Sequence, residues 1–366
     1  MKNTFGQNIS VTLFGESHGE MIGVVIDGLS PGIEVDENNV KTSLKQRKPV
    51  TLFETARIED DEFKIVSGVF NGRTTGTPLT ILIPNNNVNS TGYEQFKNTP
   101  RPSHADYTAN AKYHGYQDYR GGGHFSGRVT AGLVAAAGIL QPALNKLGVT
   151  IGSHILQCKT VKDRPFDNVQ DDLITLTQTN APMLDSSANA QLNQLLSNVK
   201  DSNDSVGGII QTAVCGLPAG VGEPWFDNVE SVLSHALFSI GGVKGVEFGL
   251  GFGFANQFGS ECNDCFAIED DKVITTSNNN GGINGGISNG MPIIFNCAVK
   301  PTPSISKNQQ TVNLSEKTNT TINIKGRHDC AIIRRICPVI DAVTTIAICD
   351  LLATRFGTDV FLDGIK

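Results

Sequence analysis

The sequence has little excess positive charge and lacks the patterns of several common activities. Its 366 residues include 29 Lys and Arg against 36 Asp and Glu, which gives a net charge of −7. A general nucleic-acid-binding protein normally carries a basic face, so this balance argues against that class. No segment matches a Walker A or a GxGxxG dinucleotide pattern. Any site for an anion must therefore be local.

Uninterrupted apolar runs long enough to cross a membrane are also missing. The first residues mix Lys, Asn, Gln and Ser without a secretory hydrophobic region, and no later stretch reaches about 18 uninterrupted apolar residues. These absences predict a cytoplasmic protein with no membrane partner. In that compartment the eight cysteines are expected to be reduced thiols. Cys262 and Cys265 have CxxC spacing, but no second pair completes a zinc site, so no metal is expected.

Glycine, in contrast, is abundant and clustered. The chain has 39 glycines, more than the average usage of about 7% would give. They concentrate in residues 121–127 (GGGHFSG), 241–253 (GGVKGVEFGLGFG) and 281–290 (GGINGGISNG). Such clusters indicate tight turns or backbone that approaches a ligand closely.

A short pattern occurs twice. The run GLSPG at 28–32 resembles GLPAG at 216–220, and each is soon followed by Asn-Val. We interpret both as strand, turn, amphipathic helix and return strand, within residues 9–85 and 205–300. Chance similarity of short turns is the alternative. A true repeat predicts one domain over residues 1–366 with a pseudo-twofold axis.

Two long apolar segments predict buried helices. They cover residues 129–140, with an interruption near Pro142, and residues 339–355. The turn-forming composition of residues 85–99 and 306–321 predicts exposed loops.

The first chemical motif is GESHG at residues 15–19, after a strand-like run at 9–14. It formally matches the GxSxG nucleophile elbow of serine hydrolases. An elbow needs a helix directly after the serine, whereas residues 21–29 predict a strand that leads to a turn. The context therefore argues against a serine hydrolase.

Three further motifs combine arginine, histidine and glycine. They are RPSHADY at 101–107, RGGGHFSGR at 120–128, and KGRHD at 325–329, which follows KPTPS at 300–304. A glycine-rich turn into a helix N-terminus can hold a phosphate or carboxylate, and nearby arginines add bidentate donors. Histidine transfers protons near neutral pH. Any one of these residues could simply cap a helix or lie on the surface, and His235 is interpreted as structural. Together they predict an enzyme for a small, multiply anionic substrate.

The five segments FGESHG, RPSHADY, RGGGHFSGR, KPTPS and GRHD, in this order between residues 14 and 329, resemble the signatures of the chorismate synthase family. The resemblance implies an α/β (α+β) fold, a single-domain β-α-β sandwich with an internal pseudo-twofold repeat, assembled as a homotetramer. It implies a 1,4-anti elimination of phosphate from 5-enolpyruvylshikimate 3-phosphate, which gives chorismate for aromatic amino acid biosynthesis. The family needs FMN in the reduced form. NADPH would be the indirect reductant, used by the chain itself or by a separate flavin reductase.

The resemblance also implies roles for particular residues. His104 would protonate the departing phosphate region, His18 would protonate the reduced flavin near N1, and Asp329 would assist flavin N5 in taking the substrate proton. The implied substrate-binding residues are Arg47, Arg101, Arg128 and Arg327. The implied FMN-binding residues are His124, Phe125, Ser126, Gly241, Gly242, Gly285, Gly286, Lys300, Pro301, Thr302, Pro303, Ser304 and Arg327.

Four positions depart from the family pattern. His124 stands where many members have Arg, and Phe53 lies where some carry a basic residue linked to nicotinamide binding. Cys330 replaces a frequent Pro, and Asp341 replaces the usual Glu. The alternative function is another lyase or transferase for a phosphorylated anionic metabolite that uses no flavin. An RNA-binding module with Arg- and Gly-rich loops is a non-enzymatic alternative, but aromatic residues interleave the basic ones only between Tyr107 and Tyr119.

Overall fold

The computed structural model describes residues 2–49, 60–88, 92–178, 182–324 and 329–365. The strands are β1 (Thr4–Phe5), β2 (Ser10–Gly15), β3 (Met21–Asp27), β4 (Lys64–Ser67), β5 (Val69–Phe70), β6 (Arg73–Thr74), β7 (Leu79–Pro84), β8 (Thr150–Cys158), β9 (Val161–Lys162), β10 (Gly208–Cys215), β11 (Val243–Phe248), β12 (Phe266–Glu269), β13 (Lys272–Thr275), β14 (Ile283–Asn284), β15 (Ile287–Ser288), β16 (Ile293–Val299), β17 (Asn308–Asn313) and β18 (Thr318–Asn323). The helices are α1 (Glu37–Gln46), α2 (Glu94–Asn98), α3 (Asp106–Tyr113), α4 (Thr130–Lys146), α5 (Val169–Gln178), α6 (Ser186–Asp201), α7 (Val229–Phe238), α8 (Gly259–Cys262), α9 (Ile333–Phe356) and α10 (Val360–Asp363).

Two five-stranded antiparallel sheets form the outer layers. The first has the order β1-β2-β3-β7-β4 and the second the order β11-β16-β10-β8-β9. In β7, Leu79, Ile81 and Ile83 are fully buried and alternate with partly exposed residues, as expected for a strand with one face on the core. Phe295 is likewise fully buried in β16. Each sheet therefore turns one apolar face inward.

Helices fill the space between the sheets. α4 packs on β3 and β7, α9 packs on β8 and β10, and the two helices also pack on each other. Both are apolar around most of their circumference, which is typical of a helix buried on all sides. They are long and apolar enough to cross a membrane, but 78% and 89% of the respective segments are buried inside the protein. The predicted α/β sandwich is thus confirmed as sheet, helices, sheet.

Four predictions of local structure were wrong, and one of them is the exposed loop 85–99, in which Glu94–Asn98 form α2 and Phe96 is buried. α4 continues through Pro142 to Lys146, and α9 begins at Ile333, ahead of Pro338. A proline inside a helix removes one backbone hydrogen bond, but burial of the surrounding apolar residues outweighs that loss here. Part of the predicted loop 306–321 is instead the hairpin β17–β18. Its composition is typical of turns, but it includes Thr, which also favours strands.

The two sheets are built in the same chain order. β3, a glycine turn, α1 and β7 in the first half correspond to β10, a glycine turn, α7 and β16 in the second. The turn glycines have equivalent environments: Gly28 has φ +84° and Gly216 has φ +85°. A Cβ on either would lie about 2 Å from a backbone carbonyl oxygen of the adjoining segment, at 1.8 Å and 2.1 Å respectively. These matches support the proposed repeat over residues 9–85 and 205–300.

Candidate active site

A cavity of about 1040 Å³ collects most of the predicted site residues. Its walls come from the N-terminal strand, the start of α4, α7, α9 and residues 300–304. Among the described residues, eight Lys and Arg side chains line it against two carboxylates, an excess of six positive charges in a chain whose net charge is −7. The cationic residues are Lys2, Arg47, Lys48, Arg101, Arg128, Lys244, Lys300 and Arg335, and the acidic ones are Asp61 and Asp329. The cavity therefore has the local positive charge that a site for an anion requires.

The N-terminus of α4 opens onto this cavity. Gly121, Gly122 and Gly123 turn the chain with φ values of +63°, +117° and +54°, which only glycine adopts without strain. The Ser126 hydroxyl then accepts a hydrogen bond from the Arg128 backbone N–H at 3.2 Å. Residues 126–130 line the cavity, so the positive end of the helix dipole faces the space in which an anion would bind.

Two of the predicted substrate arginines are held rigidly beside that helix. Arg47 Nη2 donates to the Gly127 carbonyl at 3.0 Å and to Thr130 Oγ1 at 3.1 Å. Arg128 donates to Asn85 and to the Pro84 carbonyl, and the Asp61 carboxylate forms ion pairs with both arginines.

Burial lowers the pKa of Arg47 to about 10, opposed by the charge of Asp61, so the guanidinium stays protonated at neutral pH. Arg47 Nε is buried and has no hydrogen-bond partner among the described residues. A buried donor without a partner is costly, and an anionic ligand in the cavity would supply the acceptor.

His104 belongs to a second rigid cluster. Its Nδ1 lies 2.6 Å from Asp106 Oδ1, and Arg101 binds the same carboxylate through Nε at 2.7 Å and Nη2 at 2.8 Å. Burial alone would raise the pKa of Asp106, but hydrogen bonds from Arg101 and His104 hold it well below its usual range. Both Arg101 and His104 line the cavity.

His18 lies directly behind the glycine turn. Its Nδ1 is 3.0 Å from the Ser17 hydroxyl, and its ring packs edge-on against Tyr93 at 5.0 Å between centroids. A Cβ on Gly121 would fall 2.1 Å from His18 Cε1, and a Cβ on Gly122 would fall 3.5 Å from His104 Cε1. The two predicted catalytic histidines therefore contact consecutive glycines, His104 in the cavity wall and His18 one layer behind.

Asp329 completes the predicted set from the far end of the chain. Its Oδ2 accepts a hydrogen bond from Arg335 Nη1 at 2.7 Å, and Arg335 Nε donates to the Arg47 carbonyl at 3.1 Å. This contact ties Asp329 to the arginine cluster. The predicted Arg327 and the departure at Phe53 lie outside the described residues.

The predicted FMN residues fall into two groups. Lys300 to Ser304, Gly241, Gly242 and residues 124–126 line the cavity. Lys300 Nζ donates to the Ser103 carbonyl at 2.5 Å, and burial together with the charge of Lys244 lowers its pKa. Thr302 Oγ1 is buried without a hydrogen-bond partner among the described residues, and a Cβ on Gly241 would meet open space. This wall therefore offers a polar donor and room for a bulky phosphorylated ligand.

The second group lies elsewhere. Gly285 and Gly286 form the turn of the β14–β15 hairpin, where Gly286 packs on Asn228, and neither is among the cavity-lining residues of this chain. His124 lines the cavity and its Nδ1 hydrogen-bonds the Gly15 carbonyl at 2.8 Å. That contact joins the RGGGHFSGR motif to the GESHG motif, and it leaves Nε2 as the remaining polar atom of the His124 ring.

Sequence reasoning missed several cavity residues. His235, interpreted as structural, lines the cavity and packs its ring against Phe5 at 5.4 Å. Lys244 and Arg335 were not predicted, nor were residues 2–5, which form one wall. The glycine cluster around Lys244 and the RHD motif six residues before Arg335 were the available signals. Nothing local marked residues 2–5.

A cationic cavity with His104 fixed by a carboxylate in its wall, and His18 behind it, is typical of an enzyme for an anionic small molecule. Comparison with known proteins gives the family. A sequence model of chorismate synthase matches residues 9–353. The chorismate synthase of Thermococcus kodakarensis is 43% identical over 350 residues, covering 96% of this chain and 97% of that protein. That of Dehalococcoides mccartyi strain BAV1 is 43% identical over 358 residues, covering 98% of each.

The chain belongs to the chorismate synthase family of lyases. A crystal structure of a chorismate synthase also superposes with a TM-score of 0.76 at 24% identity, covering 96% of this chain and 94% of that one. At 24% identity the superposition is evidence for the fold alone, and it confirms the predicted fold.

Proposed function

We propose that this protein catalyses the 1,4-anti elimination of phosphate from 5-enolpyruvylshikimate 3-phosphate to give chorismate, with reduced FMN as the required cofactor. The observation that carries the proposal is that four of the five motif segments, with His104, Asp329 and the arginines, meet in one cavity, where the described residues give an excess of six cationic side chains. The substrate bears a phosphate and two carboxylates. An excess of fixed positive charge of this size suits a ligand of that charge.

The arginines are assigned to binding and to stabilising the leaving group. Arg47, with its unpartnered Nε, and Arg128 lie at the α4 N-terminus and would hold one anionic group. Two nitrogens of Arg101 already bind Asp106, so a substrate contact by Arg101 would use Nη1. Because these guanidiniums are fixed by the protein, little reorganisation is needed as negative charge accumulates on the departing phosphate.

His104 is assigned as the general acid toward the departing phosphate. Its ring lies in the cavity wall and Nε2 is the nitrogen that Asp106 leaves available. His18, behind Gly121, and Asp329, beside Arg335, are assigned to holding protons on the cofactor side of the cavity.

Residues 124–126, Gly241, Gly242 and residues 300–304 fit FMN, because they combine open backbone, a lysine and the unpartnered Thr302 hydroxyl in one wall. When bound, reduced FMN supplies transient electron density to an elimination that has no net redox change. NADPH would act indirectly, as the reductant of the flavin, either on this protein or through a separate reductase. Arg327 is retained as a candidate contact for both ligands.

The protein is further proposed to be a cytoplasmic homotetramer. Support comes from large apolar side chains that are strongly exposed in the single chain: Trp225 is 81%, Phe226 89% and Phe252 84% exposed. Exposed aromatic clusters of this kind mark protein interfaces. The hairpin with Gly285 and Gly286 adjoins Asn228, close in sequence to Trp225, so an FMN contact by these glycines would require another subunit.

The test is an anaerobic assay with chemically reduced FMN and 5-enolpyruvylshikimate 3-phosphate, in which chorismate absorbance and phosphate release are followed together. Both products should form with reduced FMN and neither with oxidised FMN. His104→Ala should lower kcat by about 10- to 100-fold, whereas His114→Asn, at an exposed left-handed helix end, should not. Phosphate release without flavin would instead favour a flavin-independent lyase.

A further inference from the structure

Asp106 is a buried acid in contact with His104, and the function proposed above gives its carboxylate no role. It begins α3, its side chain is 7% exposed, and it accepts four hydrogen bonds. Arg101 provides three of them, from its backbone N–H at 2.9 Å and from two guanidinium nitrogens. His104 Nδ1 is the fourth partner.

The direction of the bond to His104 follows from the chemistry of the carboxylate. Its pKa is held below the usual range, so Asp106 is ionised at neutral pH and can only accept hydrogen bonds. Histidine Nδ1 must therefore carry a hydrogen toward Asp106 Oδ1. In the neutral ring that hydrogen leaves Nε2 as an acceptor, and in the charged ring Nε2 becomes the donor.

Nε2 is the ring nitrogen that the bond to Asp106 leaves available. His104 lines the cavity, and a Cβ on Gly122 would lie 3.6 Å from Nε2, an ordinary van der Waals distance. The bidentate contact with Arg101 prevents the carboxylate from rotating away from Nδ1. Arg101 is itself packed over the Phe96 ring, 4.5 Å from its centroid.

We propose that Asp106 is a positioning residue, clamped by Arg101, that fixes the Nδ1–H tautomer of His104 and presents Nε2 to the cavity as the atom that gives up the proton. The proposal deepens the function proposed above and rests on it for the role of the proton. It assigns Arg101 a structural role in catalysis in addition to any contact with substrate.

Asp106→Asn is the informative change because the side chain keeps its shape while one of its two acceptor oxygens is replaced by a donor NH₂ group. An amide nitrogen in place of Oδ2 would face two donors of Arg101, its backbone N–H and Nε. An amide nitrogen in place of Oδ1 would face Arg101 Nη2 and His104 Nδ1. The second orientation keeps two good hydrogen bonds and lets the amide donate to Nδ1. The hydrogen of the neutral His104 ring must then move to Nε2.

The experiment is magic-angle-spinning NMR of protein labelled with 15N-histidine, at a pH where the rings are neutral. His104→Gln identifies the His104 signals among those of seven histidines. Wild-type His104 should carry its hydrogen on Nδ1, and Asp106→Asn should move it to Nε2. In the anaerobic assay the same variant should lower kcat about tenfold or more while KM changes by less than about threefold.

Asp172→Asn is the matched control. Asp172 forms a similar ion pair with Nη1 and Nη2 of Arg164, but it does not line the cavity. It should leave the His104 tautomer and kcat unchanged. Wild-type His104 with its hydrogen on Nε2 would overturn the proposal without any variant, and so would an Asp106→Asn protein with an unchanged tautomer. If the tautomer moves as expected but the wild-type protein makes no chorismate, the positioning role stands and the proposed function fails.

Discussion

Replacing Asp350 by Asn should weaken the attachment of the N-terminal wall of the cavity to its central helix. Asp350 lies in α9, is 5% exposed, and its carboxylate accepts three backbone hydrogen bonds. Oδ1 accepts from Asn8 at 2.8 Å and from Ile9 at 3.0 Å, and Oδ2 accepts from Gln7 at 2.9 Å. These bonds hold the segment that leads from the cavity-lining residues 2–5 into β2.

The magnitude follows from the geometry of the amide. Asn keeps the two bonds at Oδ1 only if its NH₂ group takes the place of Oδ2 and faces the Gln7 N–H. One charge-assisted hydrogen bond, worth about 1.5 to 3 kcal/mol, is then lost, and the other two become neutral bonds of about 1 kcal/mol each. Together these changes lower the free energy of unfolding by about 2.5 to 7 kcal/mol, a large part of the roughly 5 to 15 kcal/mol that stabilises a typical domain.

Urea denaturation at constant protein concentration measures this change directly. Asp359→Asn, at an exposed position near the end of the same helical region, is the control and should stay within about 0.5 kcal/mol of wild type. A loss below about 1 kcal/mol in Asp350→Asn would show that the three bonds are replaced by water and that the reasoning from geometry is wrong.

Three further changes test other parts of the structure. Burial raises the pKa of Asp341 to about 7, against a lowering by its bond with Ser153, whereas an unfolded Asp titrates near about 3.9. The folded state then binds the extra proton between these values, so stability falls as pH rises through this window, and Asp341→Asn should flatten that fall in unfolding free energies measured from pH 4 to 7. Gly138→Ala gains about 1 kcal/mol of helix propensity, but its Cβ would lie 2.7 Å from Val40 Cα, so overpacking of about 1 to 3 kcal/mol should give a net loss in thermal unfolding; a higher Tm would contradict this. Gly121→Ala places a methyl 2.1 Å from His18 Cε1 and should lower kcat about tenfold or more, whereas Gly148→Ala, equally left-handed at φ +80° but with nothing within 4 Å, should not; equal losses in both would argue against a role for His18.

The local sequence pattern was sufficient to predict an element where the pattern of apolar residues agrees with the burial seen in the structure. The return strand predicted within residues 9–85 is β7, and the apolar runs of α4 and α9 predicted their type and their buried position. It failed where composition is ambiguous, as in the polar hairpin β17–β18, and where packing overrides a helix breaker, as at Pro142. In both cases tertiary contacts outweigh the preference of the single residue.

The site was predicted in chemistry more than in geometry. Spacing indicated arginines, histidines and a helix N-terminus, and the resemblance supplied the roles. The pairing of His104 with Asp106 depends on where α3 begins, and the contact of His18 with Gly121 depends on the left-handed turn of that glycine. Arg335 reaches the Arg47 backbone from 288 residues away, a distance that no local pattern can report.

The bonds from Asp350 to the N-terminal segment can form only late in the synthesis of the chain. Asn8 and Asp350 are 342 residues apart, so at about 5 to 20 residues per second residue 8 waits roughly 17 to 70 s on the ribosome before its anchor is made. Closing a flexible loop of this length would cost about 5 kcal/mol of chain entropy, if the intervening sheets had not already shortened it. During that interval β1 can pair with β2, but the segment between them lacks its anchor on α9. The N-terminal wall of the cavity therefore gains its last anchor only after the second half of α9 has emerged.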